Sequence, residues 1–334
     1  MPLRIIGSPE PRYLAATDIL ISDMSNINYD FLLFDRPIVL LSNEWLRKNF
    51  PDFGIKTDLE NIEAAIKRAI NNPGEYTDAR KYWLGKSIYR PDGNSSGRVL
   101  EIILEQAKIE NPHIILLHGN NEVGKVHLDP LYKEIRKRNL RVEFNSFLSD
   151  EKLKNNKKFY KKNLIIISTH NHVLNNIFSG YKVHIDHSVK GEGVAEFENH
   201  LKLYEKMNYF PNTDLHVTEG EISFEKTRKI VGPYSDRVVL AGYPKSDVLL
   251  EKNTKENKIS VYKELGFDSE KILVTYAPTG KYSYPFKQGA SLTPEVIKKL
   301  KIIAKKNEYN VLIKLRSAEH IIPKIVKKIR QIFL

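Results

Sequence analysis

Short apolar runs recur along the chain. Each ends in a polar cluster, and most are followed by apolar residues at near-helical spacing. Runs of this kind are the mark of parallel strands buried on both faces. Strands are expected at Arg4–Gly7, Ile19–Ile21, Pro37–Leu41, His113–Leu117, Leu140–Phe144, Leu164–Ser168, Lys182–Ile185, Asp214–Val217, Arg237–Leu240, Ile272–Ala277 and Val311–Leu315. Helical spacing covers Leu59–Asn71, with Asp58 as N-cap and Asn72-Pro73-Gly74 as the stop. It recurs from Tyr76, over Val99–Lys108, Leu128–Asn139 and Pro294–Lys306, and in a basic amphipathic stretch near Pro323–Ile332. Asn43–Phe53 and Arg90–Arg98 read as loops, and Asn253–Lys258 as a charged linker. Alternating strands and helices imply open α/β domains with parallel sheets, whose ligands sit at the carboxyl ends of the strands.

The stretch Thr17–Leu41 organises the rest. Its strand stops at Ser22-Asp23-Met24-Ser25-Asn26, and Tyr29, Phe31, Leu32 and Phe34 follow at helical spacing before the next strand. Hydroxyl and amide side chains at a strand's end are N-cap types, and the helix they start offers free N–H groups to a phosphate. The same spacing also fits an ordinary connection in which Ser25 is only the cap. A second unit starts at Asn111-Pro112, which places a domain boundary near residue 111. The turn His118–Lys125 is not a P-loop, because its Gly-Lys pair is not followed by Ser or Thr. It reads as a turn suited to close backbone approach by an acceptor.

Composition narrows the classes. With 334 residues the chain is long for one α/β core and suits two domains. No apolar run approaches the roughly 20 residues of a membrane helix, and the first residues show no long apolar segment of a signal peptide. A cytoplasmic location is expected. Cys is absent, which removes disulfides and thiolate metal sites. His170, His172, Asp186 and His187 are too loosely spaced for a metal site, and no metal is expected. The net charge of +12 points to anionic partners. The densest basic run is Lys152–Lys162, but no nucleic-acid-binding signature accompanies it.

Several stretches together resemble the CDP-glycerol glycerophosphotransferases, the teichoic-acid primases and polymerases. They are TDILISDMSNINYDFLLFDRPIVLL, RPDGNSSGRVLEIIL, HIDHSVKGEG, AGYPKSDVLL, KILVTYAPTG and VLIKLRSAEH. The resemblance covers nearly the whole chain and implies a GT-B-like fold of two Rossmann-like domains. The order differs from the family's, which would run 112–334 and then 1–110, so the chain reads as a circular permutant of one module. Residues 1–110 would form the C-terminal part of the nucleotide-binding domain and 256–334 its N-terminal part. Residues 111–255 would form the acceptor-side domain. A piece cut from a tandem protein is the alternative.

The resemblance implies transfer of glycerol phosphate, or a related polyol phosphate, from CDP-glycerol to a lipid-linked or polymeric acceptor. The donor is a substrate, and no cofactor is implied. It makes His187 the general base, with Asp186 orienting it and His184 the nearest competitor. Ser22, Asp23, Ser25 and Asn26 would cradle the pyrophosphate. Thr279, Lys281, Arg316 and Arg98 would add phosphate contacts. The chain departs from the family at Met24 and Asn26, where the pattern has Tyr and a second Ser. It departs again at Ser188, where the pattern has Gly, and at Arg316, where it has a second His. Arginine cannot give up a proton at neutral pH but holds phosphate well. The basic runs fit an anionic membrane surface, and a peripheral place at the inner membrane face is expected. The alternatives are a GT-B enzyme using a UDP-sugar, since a fold of this kind hosts many reactions, and a catalytically impaired rearranged module.

Overall fold

The computed structural model describes residues 3–7, 10–23, 25–42, 47–48, 50–118, 122–146, 163–174, 177, 179–186, 211–278, 294–306 and 308–315. For residues 122–124, 145–146, 171–172 and 294 it describes the backbone alone. The chain divides into two compact units, one of residues 1–84 and 249–334, the other of residues 85–248. Each is built on one six-stranded, all-parallel sheet.

The first unit opens with β1 (Leu3–Ile6), α1 (Pro11–Ala16), β2 (Ile19–Ser22) and α2 (Ile27–Phe31), which tightens into a 3₁₀ turn over Leu32–Phe34. β3 (Ile38–Leu41), β4 (Ile55–Thr57) and α3 (Ile62–Asn71) follow, and α4 (Thr77–Ser87) leads out of the unit. The chain returns with α10 (Lys255–Leu265), β11 (Leu273–Ala277), α11 (Pro294–Lys305) and β12 (Asn310–Lys314). The sheet order is β1-β12-β11-β2-β3-β4. Counted from β11 through β12 and β1 to β2, β3 and β4, this is the 3-2-1-4-5-6 order of a dinucleotide-binding sheet. β2 and β11 pair in register from Val274↔Ile19 to Ala277↔Ser22, so segments more than 250 residues apart lie side by side at the centre.

Apolar residues cover both faces of this sheet. On one, Ile19, Ile21, Val39, Val274, Val311 and Ile313 meet Ile62, Ile66, Leu300 and Ile303 of α3 and α11. On the other, Leu273 and Leu312 meet Tyr13, Ala16, Val261 and Tyr262 of α1 and α10. Burying each such aliphatic side chain contributes about 1.5–3 kcal/mol. Polar ties reinforce the seam between the two chain segments. Thr17 and Thr275 share a hydroxyl hydrogen bond of 2.7 Å. The Asp18 carboxylate accepts from Lys258 Nζ (2.6 Å), the Tyr262 hydroxyl (3.2 Å) and the Leu273 amide (2.9 Å). Glu264 accepts from the Tyr13 hydroxyl at 2.7 Å and pairs with Arg12 at 2.6 Å. Burial first, and then the bond to Glu264, pushes the Tyr13 phenol up to about 12. Lys306 reaches Glu63 at 2.5 Å.

The second unit holds α5 (Ser95–Ala107), β5 (His113–His118), α6 (Glu122–Lys137), β6 (Arg141–Ser146), β7 (Leu164–Ser168), α7 (Asn171–Leu174) and β8 (Tyr181–Ile185). β9 (Leu215–Thr218), α8 (Glu221–Val231), a 3₁₀ turn over Gly232–Arg237, β10 (Val238–Leu240) and α9 (Pro244–Glu251) complete its run, α9 passing the 248/249 boundary. The sheet order β10-β9-β8-β7-β5-β6 is that of a flavodoxin-like sheet, with β5 first and β6 outside it. Val99, Leu100 and Ile103 of α5 and Leu128, Leu131 and Ile135 of α6 cover one face, packing on Ile114, Leu116, Ile165 and Ile167.

The α/β class and parallel sheets agree with the hydrophobic pattern; several local expectations do not. Asn253–Lys258 is no linker: Lys255 opens α10, and the Thr254 hydroxyl caps it by accepting from the Asn257 amide at 3.1 Å. Asp58 does not start a helix at Leu59. It closes the turn before α3 instead, accepting from the Asn61 amide at 2.9 Å. The short edge strand β4 and helix α1 are elements that the hydrophobic pattern does not predict. The basic stretch 323–332 lies outside the described residues.

Candidate active site

In an open parallel sheet the binding crevice lies where the strand order reverses, outside the carboxyl ends of the two strands concerned. In the first unit those strands are β11 and β2. The polar run after β2 therefore sits at the reversal point. Ser22 closes the strand, fully buried, and its hydroxyl donates to the Ala277 carbonyl at 3.1 Å, tying the last residues of the two strands together. Asp23 is also buried. Its backbone carbonyl accepts from the Asn28 side-chain amide at 2.6 Å, which folds the turn back onto α2. Tyr276 on β11 is enclosed and lies within the field of Asp23. Burial first, and then that charge, holds its phenol well above its ordinary value, so the phenol keeps its proton.

Ser25 and Asn26 differ from these two. Ser25 is half-buried and Asn26 is exposed. Among the described residues the Ser25 hydroxyl accepts a long contact from the Ile27 amide, at 3.5 Å, and Asn26 stands at the start of α2 with no capping bond from its side chain. α2 itself has five residues before it tightens, so its dipole is smaller than the spacing had suggested. Of the four residues in the predicted cradle, Ser22 and Asp23 shape the turn, while Ser25 and Asn26 present polar groups to solvent.

Arg98 and Asp186 lie in the second unit. Asp186 follows β8 directly, is buried, and donates its amide to the Val217 carbonyl at 3.1 Å. Arg98 sits on the first turns of α5 and is encircled by acceptors. Its guanidinium meets both oxygens of Asp92 at 2.7 Å, the Arg90 carbonyl at 2.6 Å and the Ala241 carbonyl at 3.2 Å. Arg98, and after it the Asn94 amide, holds the Asp92 carboxyl below its ordinary value. The N-terminus of α5 carries an anion of the protein's own: Asp247 accepts from the amides of Ser95 (2.9 Å) and Ser96 (2.7 Å) and from the Ser96 hydroxyl (2.7 Å). This lock joins the DGNSSGR stretch to the AGYPKSD stretch. Gly242, at φ +113°, permits this close approach: a Cβ there would stand 3.1 Å from the Ser95 hydroxyl and 3.0 Å from the Tyr89 carbonyl. Elsewhere in the unit a Cβ on Gly220 would stand 2.1 Å from the Ser87 carbonyl. The role of Asp247 was not anticipated; its only signal was an acidic residue in the first turn after Pro244.

His187, Thr279, Lys281 and Arg316 lie outside the described residues, as do Met24, Ser188 and His320. Their chain positions follow β8, β11 and β12 respectively for the first four, with Thr279 and Lys281 both after β11. Among the described residues no group of three His, Asp or Glu could hold a metal ion, and no helix is long and apolar enough to cross a membrane.

A family model described as CDP-Glycerol:Poly(glycerophosphate) glycerophosphotransferase matches residues 12–105 and 130–327. No curated protein matches the chain.

Proposed function

The chain belongs to the CDP-glycerol:poly(glycerophosphate) glycerophosphotransferase family, a family of transferases, and from that premise we propose how its residues divide the work. The reaction moves glycerol phosphate from CDP-glycerol to a hydroxyl of a lipid-linked or polymeric polyol-phosphate acceptor, at an anionic membrane surface. The first unit holds the donor. One observation carries this: β2 and β11 come from opposite ends of the chain and flank the reversal point of a 3-2-1-4-5-6 sheet, with Ser25 and Asn26 presented there. In this reading the Ser25 hydroxyl and Asn26 amide donate to the pyrophosphate. Ser22 and Asp23 hold the turn in shape. Thr279, Lys281 and Arg316 follow strands of the same sheet and supply further donors and positive charge, which stabilise the leaving nucleotide. Arg98, engaged by Asp92, has a structural part.

His187, beside Asp186 after β8, is assigned as the base that takes the proton of the acceptor hydroxyl as its oxygen attacks the phosphorus of the donor. The order of the segments is read as a circular permutation of one module, with residues 1–84 and 249–334 completing one nucleotide unit.

The test is a transfer assay with CDP-glycerol and a primed acceptor, alongside thermal unfolding. His187→Ala is expected to lose at least about a hundredfold in kcat, the contribution of a general base, with an unchanged Tm. CDP is expected to raise the Tm more than UDP does. Full activity in the variant overturns the assignment of His187, and stabilisation by UDP over CDP overturns the donor.

A further inference from the structure

We propose that Asn28 is a positioning residue for the donor, which keeps backbone oxygens of the turn before α2 away from the pyrophosphate. This rests on the reading above that the first unit holds CDP-glycerol. A turn that receives a pyrophosphate must offer N–H and O–H groups and withhold its carbonyls, whose partial negative charge repels an anion. In Ser22–Asn26 that sorting falls to a residue just beyond the turn. Asn28 is fully buried. Its side-chain amide donates to the Asp23 carbonyl at 2.6 Å, and its backbone amide donates to the Ser25 carbonyl at 3.0 Å. Two carbonyls of the turn are thus drawn onto a residue that solvent does not reach. The Asn26 carbonyl accepts from the amide of buried Tyr29 at 3.1 Å, so it too is engaged by α2. The turn is left with exposed Asn26 and half-buried Ser25 on its outer side.

Packing alone does not favour asparagine here. Asn28 lies in α2 with the buried rings of Tyr29 and Phe31 beside it in sequence, and asparagine is a weak helix former. Its Oδ1 is closed off from water and has no hydrogen-bond partner among the described residues. A buried acceptor left unpaired lowers stability. The residue therefore carries a penalty that an apolar side chain would avoid, and what it supplies in return is the bond to Asp23. In a regular helix the amide four residues on, that of Ile27, would bond to this carbonyl. The Ile27 amide contacts the Ser25 hydroxyl instead, at 3.5 Å. The Asn28 side chain supplies a donor to the Asp23 carbonyl from one residue further along.

The experiment measures the donor KM, the acceptor KM and the Tm of Asn28→Leu and Asn28→Ala. Both variants remove the donor to Asp23, but they act differently on the core. Leucine removes the unpaired oxygen along with the amide and fills the space, so its Tm should stay close to that of the wild type. Alanine leaves a cavity, so its Tm should fall. Both should raise the donor KM about tenfold, the loss of one buried hydrogen bond, and leave the acceptor KM unchanged. Asn28→Gln, which keeps an amide donor, should recover part of the loss. A donor KM that rises only where the Tm falls marks Asn28 as purely structural and overturns the proposal, as does an unchanged donor KM in both variants. If the wild-type protein does not use CDP-glycerol, the donor reading fails first. Calorimetric titration with inorganic pyrophosphate then decides the turn alone: weaker binding to Asn28→Leu than to the wild type supports the proposal, and equal or absent binding overturns it.

Discussion

Asp247 shows how a single carboxylate can fill the anion-binding end of a helix from within the protein. The stretch Arg90–Arg98 carries an arginine, hydroxyls and a helix start, all of which suit phosphate. In the fold, that helix start is occupied by Asp247 and the arginine by Asp92. Asp247→Ala would leave two amides and one hydroxyl without their acceptor at a helix N-terminus. The expected loss is about 1–3 kcal/mol, read as a lower Tm for the second unit, with Asp247→Asn recovering part of it. A Tm equal to wild type would show that the lock carries no weight. Residue types alone could mark this stretch as polar and constrained. They could not say whether its anion came from outside, because the partner lies about 150 residues further along the chain.

The elements were legible in proportion to their burial. Strands such as β5, β7 and β11 are apolar on both faces, and their runs stand out. β4 has three residues and alternates at a sheet edge, so it gave no run to read. α10 has a charged first turn, and Lys255, Glu256 and Asn257 resemble a linker until the Thr254 cap and the buried Val261 and Tyr262 are counted. Ionic ties between elements of the first unit also predict its response to acid. The Lys306 bond holds the Glu63 carboxyl below its ordinary value, and the Tyr13 bond, followed by Arg12, does the same for Glu264. Lowered carboxyl values mean that the unfolded chain binds protons more readily than the folded one. The stabilisation is therefore complete above the ordinary carboxylate value, about 4.3, and is lost as the pH falls below it. Tm measured from neutral to acid pH should drop below about pH 4, and a Glu63→Gln/Glu264→Gln double variant should show a shallower drop. An equally steep drop in the variant would place the acid sensitivity elsewhere.

At the scale of the whole molecule, the feature hardest to see in the chain is the one that creates the candidate site. Each motif can be read where it stands, but the 3-2-1-4-5-6 order exists only once β2 and β11 pair across more than 250 residues. The pairing makes Ser22 the neighbour of Ala277, and it puts the turn Ser25–Asn26 just past the point where the strand order reverses. The most direct measurement is amide hydrogen exchange with and without CDP-glycerol. Bound donor should slow exchange both in peptides spanning Ser22–Asp30 and in peptides spanning Tyr276–Pro278, two regions that this sheet brings together. Protection of one region without the other, or protection confined to residues 85–248, would contradict the account.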